Sequence, residues 1–247
     1  MIQRRLIERV RELCAADDRL AAALMYGSFV TGEADEHSDI EFWLFFDAAV
    51  APGEWLRQIG NTGYVAINEF GAQVAFFPGL IRGEFHFATV ADIADVGNWP
   101  ARDIELLVDR DGALRAALEV PAPAVETDGA AICGRFANWL LLAHRVATRG
   151  ELLRAVDAMA QVQRHLLWMA RLAEGRTQHW LTPSRAAETD LPAEVVAALH
   201  RATATADADS LRAGIEAAWR CGRGYWRRLT DSVPEELFAE LDWALLQ

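Results

Sequence analysis

The spacing of apolar residues changes along this chain: the first half mixes helical and strand periodicities, and the second half has helical periodicity throughout. In residues 3–16 the apolar side chains recur every three or four positions, which predicts a helix, and the apolar run from Ala21 to Tyr26 predicts a short strand. From residue 129 onward the helical spacing prevails and predicts a bundle of four or five helices. The segments are Gly129 to Thr148, Glu151 to Ala173, Ala193 to Ala204, Asp207 to Leu229 and Glu235 to Leu246.

The segment from Asp39 to Asp47 alternates between two sets of side chains, as a half-buried strand does. One face carries Ile40, Phe42, Leu44 and Phe46, and the other carries Asp39, Glu41, Trp43 and Phe45. Because side chains at i and i+2 point the same way in a strand, the two carboxylates are expected to crowd one end of the second face.

Further strand patterns lie between this segment and a proline pair. Runs from Tyr64 to Phe70, Gln73 to Phe77 and Ile81 to Ala88 are separated by turn signals and predict a meander, and a shorter run spans Glu105 to Val108. We place a domain boundary at the break between Pro121 and Pro123. The predicted architecture is α+β: a domain with a mixed sheet in residues 1–123, followed by an all-α bundle in residues 124–247.

Composition narrows the class of protein. The 247 residues are 52% hydrophobic, enough for a packed core, and the three cysteines lack the spacing of a disulfide framework or zinc site. No apolar stretch is long enough to span a bilayer and no signal-like segment opens the chain, so we expect a cytoplasmic protein without membrane contact. The formal net charge of −12 and the absence of lysine argue against a nucleic acid partner, and they leave arginine as the cation for any triphosphate.

Five residues suggest phosphate chemistry. Gly27 and Ser28 form a turn after the first strand, where the backbone can approach a phosphate closely. Asp39 and Glu41, together with Glu84 in the later strand, offer the hard oxygen ligands that Mg²⁺ prefers. We therefore predict that Asp39 and Glu41 bind the metal, with Glu84 as a candidate third ligand, and that Gly27 and Ser28 bind the phosphates of a nucleoside triphosphate. Glu84 is also the predicted general base, because its apolar neighbours should raise its proton affinity unless a metal is close. Whether Glu84 is the base only or also a metal ligand is left open.

The run from Tyr26-Gly27-Ser28 to Ser38-Asp39-Ile40-Glu41-Phe42 resembles the signature of antibiotic nucleotidyltransferases of the polymerase-β type, with glutamate in place of the usual second aspartate. The segments from Ala66 to Gly71 and from Leu80 to Phe87, and Trp180 to Arg185 in the helical half, are similar to the two-domain lincosamide nucleotidyltransferases. This resemblance implies Mg²⁺-dependent transfer of a nucleoside monophosphate, with ATP the first candidate donor, to a hydroxyl of a lincosamide. It also implies that Asp39 and Glu41 hold Mg²⁺, that Glu84 is the base, and that both substrates bind between the domains.

Two alternatives stay open from sequence. The acceptor could be an aminoglycoside or a protein hydroxyl, and the chain could be a nucleotide-binding regulatory module without activity. His86 shares a face with Glu84 and is a candidate for orienting the acceptor. Whether the protein forms a homodimer is also left open.

Overall fold

The computed structural model describes residues 1–125 and 127–246. The chain divides into two compact units, Met1–Val125 and Glu126–Gln247. The first unit contains a six-stranded sheet with helices, and the elements of the second unit are all helices. The predicted α+β class, with a helical C-terminal region, is confirmed.

The elements of the first unit follow one another with short connections. They are α1 (Ile2–Ala16), β1 (Leu20–Tyr26), α2 (Ser28–Thr31), β2 (Ile40–Phe46), α3 (Pro52–Ile59), β3 (Tyr64–Ile67), β4 (Gln73–Phe77), β5 (Ile81–Thr89), a 3₁₀ helix (Val90–Asn98), β6 (Ile104–Asp109) and α4 (Ala113–Glu119). The strand order in the sheet is β3-β4-β5-β2-β1-β6. Only the pairing of β2 with β5 is parallel among these neighbours, so the sheet is mixed.

The two faces of the sheet are covered differently. The even-numbered side chains of β2 are buried in a large cluster with apolar residues of α1 and α3, as the alternation predicted. On the opposite face, Phe45 packs with Ile93 and Val96 of the 3₁₀ helix and with Leu114 of α4. Trp43 lies at the margin of this smaller cluster and Glu41 lies beyond it along the strand. The acidic end of β2 is therefore left outside the apolar core.

Some elements differ from the sequence prediction. The strand predicted from Tyr64 to Phe70 ends at Ile67, because the side-chain oxygen of Asn68 accepts hydrogen bonds from the backbone N–H groups of Phe70 (3.0 Å) and Ala72 (2.9 Å) and so forms a turn. Helices α3 and α4 and the 3₁₀ helix were not predicted. For α3 a signal was present, since Pro52 stands at its first turn.

The second unit consists of six helices, counted over its described residues. They are α5 (Gly129–Thr148), α6 (Leu152–Glu174), α7 (Ala187–Asp190), α8 (Ala193–Arg201), α9 (Ala208–Leu229) and α10 (Glu235–Leu245). Helices α5, α6 and α9 supply most of one continuous apolar core. Within that core the ring of Phe136 lies over Gly222, where a Cβ atom would stand only 2.2 Å from its Cζ atom. No helix in the described residues combines the length and the hydropathy that a membrane span needs.

A buried arginine organises the connection between α6 and α8. Arg171 is 0% exposed and donates hydrogen bonds to the backbone oxygens of Arg176, Pro183 and Arg185 and to the carboxylate of Asp190 (3.0 Å). Asp190 also contacts Nδ1 of His179 at 2.7 Å. Burial acts to raise the pKa of Asp190, but the hydrogen bonds from His179 and Arg171 outweigh it and lower that pKa. The connection is thus held by a buried guanidinium that donates four hydrogen bonds, one of them to a carboxylate.

Candidate active site

Three polar side chains form a row across three neighbouring strands. In the parallel ladder of β2 and β5, Glu41 is the register partner of Glu84, and in the antiparallel ladder of β1 and β2, Tyr26 is the partner of Glu41. Register partners on neighbouring strands are about 4.8 Å apart in the backbone and point to the same face. The two predicted acids from separate strands are therefore neighbours, and Asp39, which precedes β2 by one residue, lies at the edge of the same face.

Gly27 is required where the chain leaves this row. Its backbone has φ +81° and ψ −159°, a combination that only glycine adopts without strain. A Cβ atom on Gly27 would stand 1.6 Å from Oε2 of Glu41, so the carboxylate of Glu41 lies against the bare backbone. Ser28 follows at the start of α2 and is buried. The Gly-Ser turn and the acid of β2 thus form one local structure.

Arg82 joins two of the predicted acids. Its Nη1 atom is hydrogen-bonded to the carboxylate of Asp39, and its Nη2 atom lies 2.6 Å from Oε2 of Glu84. Arg82 stands two residues before Glu84 in β5 and so projects to the same face. One guanidinium group bridges carboxylates from two different parts of the chain, a geometry that suits its planar arrangement of donors.

These contacts set the protonation of the row. Nε2 of His86 lies 3.4 Å from Oε1 of Glu84, and its hydrogen bond is the largest influence on the pKa of Glu84. Burial acts to raise this pKa, but the hydrogen bond from His86 and the charge of Arg82 outweigh burial and lower it. The sequence predicted the opposite direction from desolvation alone, because the contacts of Glu84 with His86 and Arg82 were not foreseen. Burial, with the nearby charges of Glu84 and Glu41, raises the pKa of Tyr26, whose hydroxyl donates to Glu84 at 3.4 Å. Glu84 is therefore ionised at neutral pH and Tyr26 is a neutral donor.

An aromatic wall, formed by Tyr26, Trp43, His86 and Trp99, borders the acids. The ring of Trp99 meets Tyr26 edge to face with 4.9 Å between centroids and meets Trp43 at 5.9 Å, and Trp43 lies 5.3 Å from His86. The 3₁₀ helix begins with a capping box between Thr89 and Asp92 and brings Trp99 to this position at its end. The four rings give the site an apolar surface beside its charged row.

The donor chemistry of the acids is compatible with a metal. Among the residues that the structure describes, no group of three His, Cys, Asp or Glu side chains is arranged to hold a metal ion, and the assignment of Asp39, Glu41 and Glu84 as ligands stays a prediction. However, the guanidinium of Arg82 lies between Asp39 and Glu84, so this position already attracts a positive charge. Carboxylate oxygens are the ligands that Mg²⁺ prefers, so the chemical type of these three side chains is compatible with that ion.

Sequence reasoning missed Arg82 and the two tryptophans of the aromatic wall. A signal for Arg82 was present, since Arg82, Glu84 and His86 alternate along one strand and must share a face. No comparable signal pointed to Trp99, which reaches the site from a separate element.

Comparison with known proteins places the helical half in a family. Residues 126–247 match the family model described as the C-terminal domain of lincosamide nucleotidyltransferase-like proteins. A search of curated proteins found no match. Among solved structures, the chain is similar to an aminoglycoside 6-adenyltransferase from Bacillus subtilis, with 12% identity, a TM-score of 0.45 and coverage of 98% of this chain and 95% of that one. It is also similar to a nucleotidyltransferase-like protein from Exiguobacterium sibiricum 255-15, with 11% identity, a TM-score of 0.36 and coverage of 99% and 88%.

The family match defines the class: this chain is a nucleotidyltransferase-type enzyme. Its helical half belongs to the lincosamide nucleotidyltransferase-like C-terminal domain family. The resemblance drawn from the sequence is confirmed at this level. With TM-scores under 0.5, the two structural likenesses add nothing to the assignment.

Proposed function

We propose that this enzyme transfers a nucleoside monophosphate from a nucleoside triphosphate, with ATP the first candidate, to a hydroxyl group of a lincosamide, in a Mg²⁺-dependent reaction that releases pyrophosphate. One observation carries the proposal: Glu41 and Glu84 are register partners on neighbouring strands, and Glu41 lies against the Gly27 turn. Acids from two strands beside a glycine turn are an arrangement that can hold a metal ion and a triphosphate for nucleotidyl transfer.

Each predicted residue has a distinct role in this proposal. The backbone N–H groups at Gly27 and Ser28 would bind phosphate oxygens beside the carboxylate of Glu41, whose negative charge the bound metal would offset. Asp39, Glu41 and Glu84 would hold Mg²⁺, which when bound neutralises the triphosphate and orients it for in-line attack. Glu84, ionised at neutral pH, accepts the proton of the acceptor hydroxyl as its oxygen bonds to the α-phosphorus. The bond from the α-phosphorus to the bridging oxygen breaks, and pyrophosphate leaves with that electron pair.

The surroundings of Glu84 support a small-molecule acceptor. The aromatic wall offers apolar surface beside the carboxylates, a combination that suits an acceptor with an apolar ring and a protonated amine. The choice of a lincosamide rests on the family match of residues 126–247. The formal net charge of −12 favours such a cationic small molecule over a polyanionic acceptor.

Pyrophosphate release tests the proposal. The purified full chain is incubated with ATP, GTP, CTP or UTP and with lincomycin, clindamycin, streptomycin or no acceptor, in Mg²⁺ and in EDTA. We expect acceptor-dependent release with the lincosamides, abolished by EDTA. Release with streptomycin alone would reject the lincosamide assignment. Calorimetric binding of nucleotide without release for any acceptor would instead identify an inert regulatory module.

The role of Glu84 is tested in the same assay. Glu84→Gln keeps the shape of the side chain and removes the base, so turnover should fall by about 10²–10⁴-fold while nucleotide affinity is largely kept. Glu105→Gln is the matched control, because Glu105 lies on β6 of the same unit and pairs with Arg11 at 2.7 Å. Turnover of Glu84→Gln equal to that of the control would remove Glu84 from the base role.

A further inference from the structure

The guanidinium of Arg82 occupies the position where two of the proposed metal ligands meet. It bridges Asp39 and Glu84, and the side chains of Arg82, Asp39 and Glu84 are 37%, 31% and 16% exposed. The bridge is therefore partly exposed to solvent. Without a cation between them, two carboxylates this close would repel each other, so Arg82 stabilises their convergence in the protein without metal.

Arginine and metal compete for the same oxygens. A carboxylate oxygen that accepts a short charge-assisted hydrogen bond from a guanidinium is not free to enter the shell of Mg²⁺, which needs close, well-oriented oxygens. Arg82 keeps its positive charge near neutral pH, because an arginine guanidinium is not deprotonated in proteins. The guanidinium must therefore move away as an intact cation before Asp39 and Glu84 can bind the ion.

A displaced Arg82 has an obvious new partner. The sequence contains no lysine, so the cations that meet a triphosphate are arginines. Arg82 is already at the acid row, and its side chain is 37% exposed, so it can turn toward solvent and reach a phosphate bound beside the row. A guanidinium binds phosphate oxygens with two parallel hydrogen bonds, and these would take the place of its hydrogen bonds to the two carboxylates.

On this basis, and resting on the proposed function, we propose that Arg82 is an internal cation that occupies the metal position in the nucleotide-free enzyme and transfers its hydrogen bonds to the triphosphate when the metal and nucleotide bind. The bridge then has two effects. It holds the acids in place before the substrate arrives, and it disfavours binding of the metal alone. Metal binding and nucleotide binding become coupled, because the metal takes the carboxylate partners of Arg82 and the triphosphate gives Arg82 new ones.

Manganese binding measures this coupling without reference to activity. Free Mn²⁺ is followed by electron paramagnetic resonance in titrations of the full chain, with and without the α,β-methylene analogue of ATP. The variants are Arg82→Gln, which removes the charge, and Arg82→Lys, which keeps the charge but not the planar fork. Arg11→Gln is the control, because Arg11 also bridges to a carboxylate, Glu105, and is similarly exposed at 39%.

Without nucleotide, Arg82→Gln should bind Mn²⁺ about tenfold or more tightly than the wild type, because a charged hydrogen-bonding competitor is gone. With the analogue present, the same variant should bind the nucleotide about tenfold more weakly, because the bidentate phosphate contact is absent. Arg82→Lys should lie between, and Arg11→Gln should match the wild type. Thermal melts establish that each variant is folded. If Arg82→Gln does not fold, Arg82→Lys is compared with the wild type instead.

The inference is overturned if removing Arg82 leaves Mn²⁺ affinity unchanged or lowers it in the absence of nucleotide. Its failure is distinct from failure of the proposed function. Normal lincosamide-dependent pyrophosphate release by the wild type, with unchanged Mn²⁺ affinity in Arg82→Gln, rejects the role of Arg82 and keeps the function. Tighter Mn²⁺ binding in Arg82→Gln, with no release for any acceptor, supports the role of Arg82 and rejects the function.

Discussion

The contact between Gly27 and Glu41 gives the sharpest prediction, for the substitution Gly27→Ala. The backbone at Gly27 lies in a region that is almost closed to other residues, and occupying it with alanine costs about 1–3 kcal/mol of the free energy of unfolding. In addition, the new methyl group would stand 1.6 Å from Oε2 of Glu41. The carboxylate of Glu41 must then move by more than about 1 Å, a displacement of the size that costs about 100-fold in turnover.

Gly32 provides a matched control, because it caps the other end of the same short helix, α2. It also has a positive φ, +77°, but a Cβ atom there would meet nothing within 4 Å. Gly32→Ala should therefore cost only the backbone strain of about 1–2 kcal/mol and should leave turnover nearly unchanged. Urea unfolding gives the stability of both variants, and pyrophosphate release gives their turnover.

The double variant Gly27→Ala with Glu41→Ala separates the two effects. Removing the carboxylate relieves the collision, so part of the lost stability should return while turnover stays low. Equal losses of turnover in Gly27→Ala and Gly32→Ala would refute the reasoning, because backbone strain alone would then explain both. Full turnover in Gly27→Ala would show that the placement of Glu41 does not depend on Gly27.

Three further predictions concern the helical unit. Gly222→Ala should lower the free energy of unfolding by about 1–3 kcal/mol, because the new methyl group overpacks against Phe136. Gly224 lies in the same helix, α9, but a Cβ atom there would have no neighbour within 4 Å, so Gly224→Ala should raise the free energy of unfolding by about 1 kcal/mol. Equal effects of the two substitutions in urea unfolding would contradict this packing. Arg171→Met should lower the free energy of unfolding by about 3–5 kcal/mol, since the carbonyls of Arg176, Pro183 and Arg185 lose their donor and Asp190 keeps only its contact with His179; a loss under 1 kcal/mol would show that the cluster relaxes freely. Because the pKa of Asp190 is lowered in the fold, its contribution is present above about pH 3.9 and is lost as the pH falls through the folded value. The stability of Asp190→Asn should therefore depend less on pH in that acid range than that of the wild type, and parallel curves would contradict the linkage.

Local periodicity was sufficient for most elements of this chain. The strand β4 has the bounds that the pattern predicted, and so does α5, because period 2 and period 3.6 are properties of a few neighbouring residues. The pattern failed where a side chain redirects the backbone, as Asn68 does at the end of β3. It also failed for α4, whose seven residues bury Leu114 against the 3₁₀ helix, a contact that no local pattern contains.

For the candidate site too, some features follow from local sequence and others depend on the tertiary structure. The sequence by itself determined that Asp39 and Glu41 share one face of a strand, and that Glu84 shares a face with its neighbours two residues away. Only the tertiary structure decided that β2 and β5 are parallel neighbours, and that their register pairs Glu41 with Glu84 and lets Arg82 reach Asp39. The physical reason is that register between strands distant in sequence is set by the packing of the whole sheet against its helices, and a shift of one residue would turn every side chain to the other face.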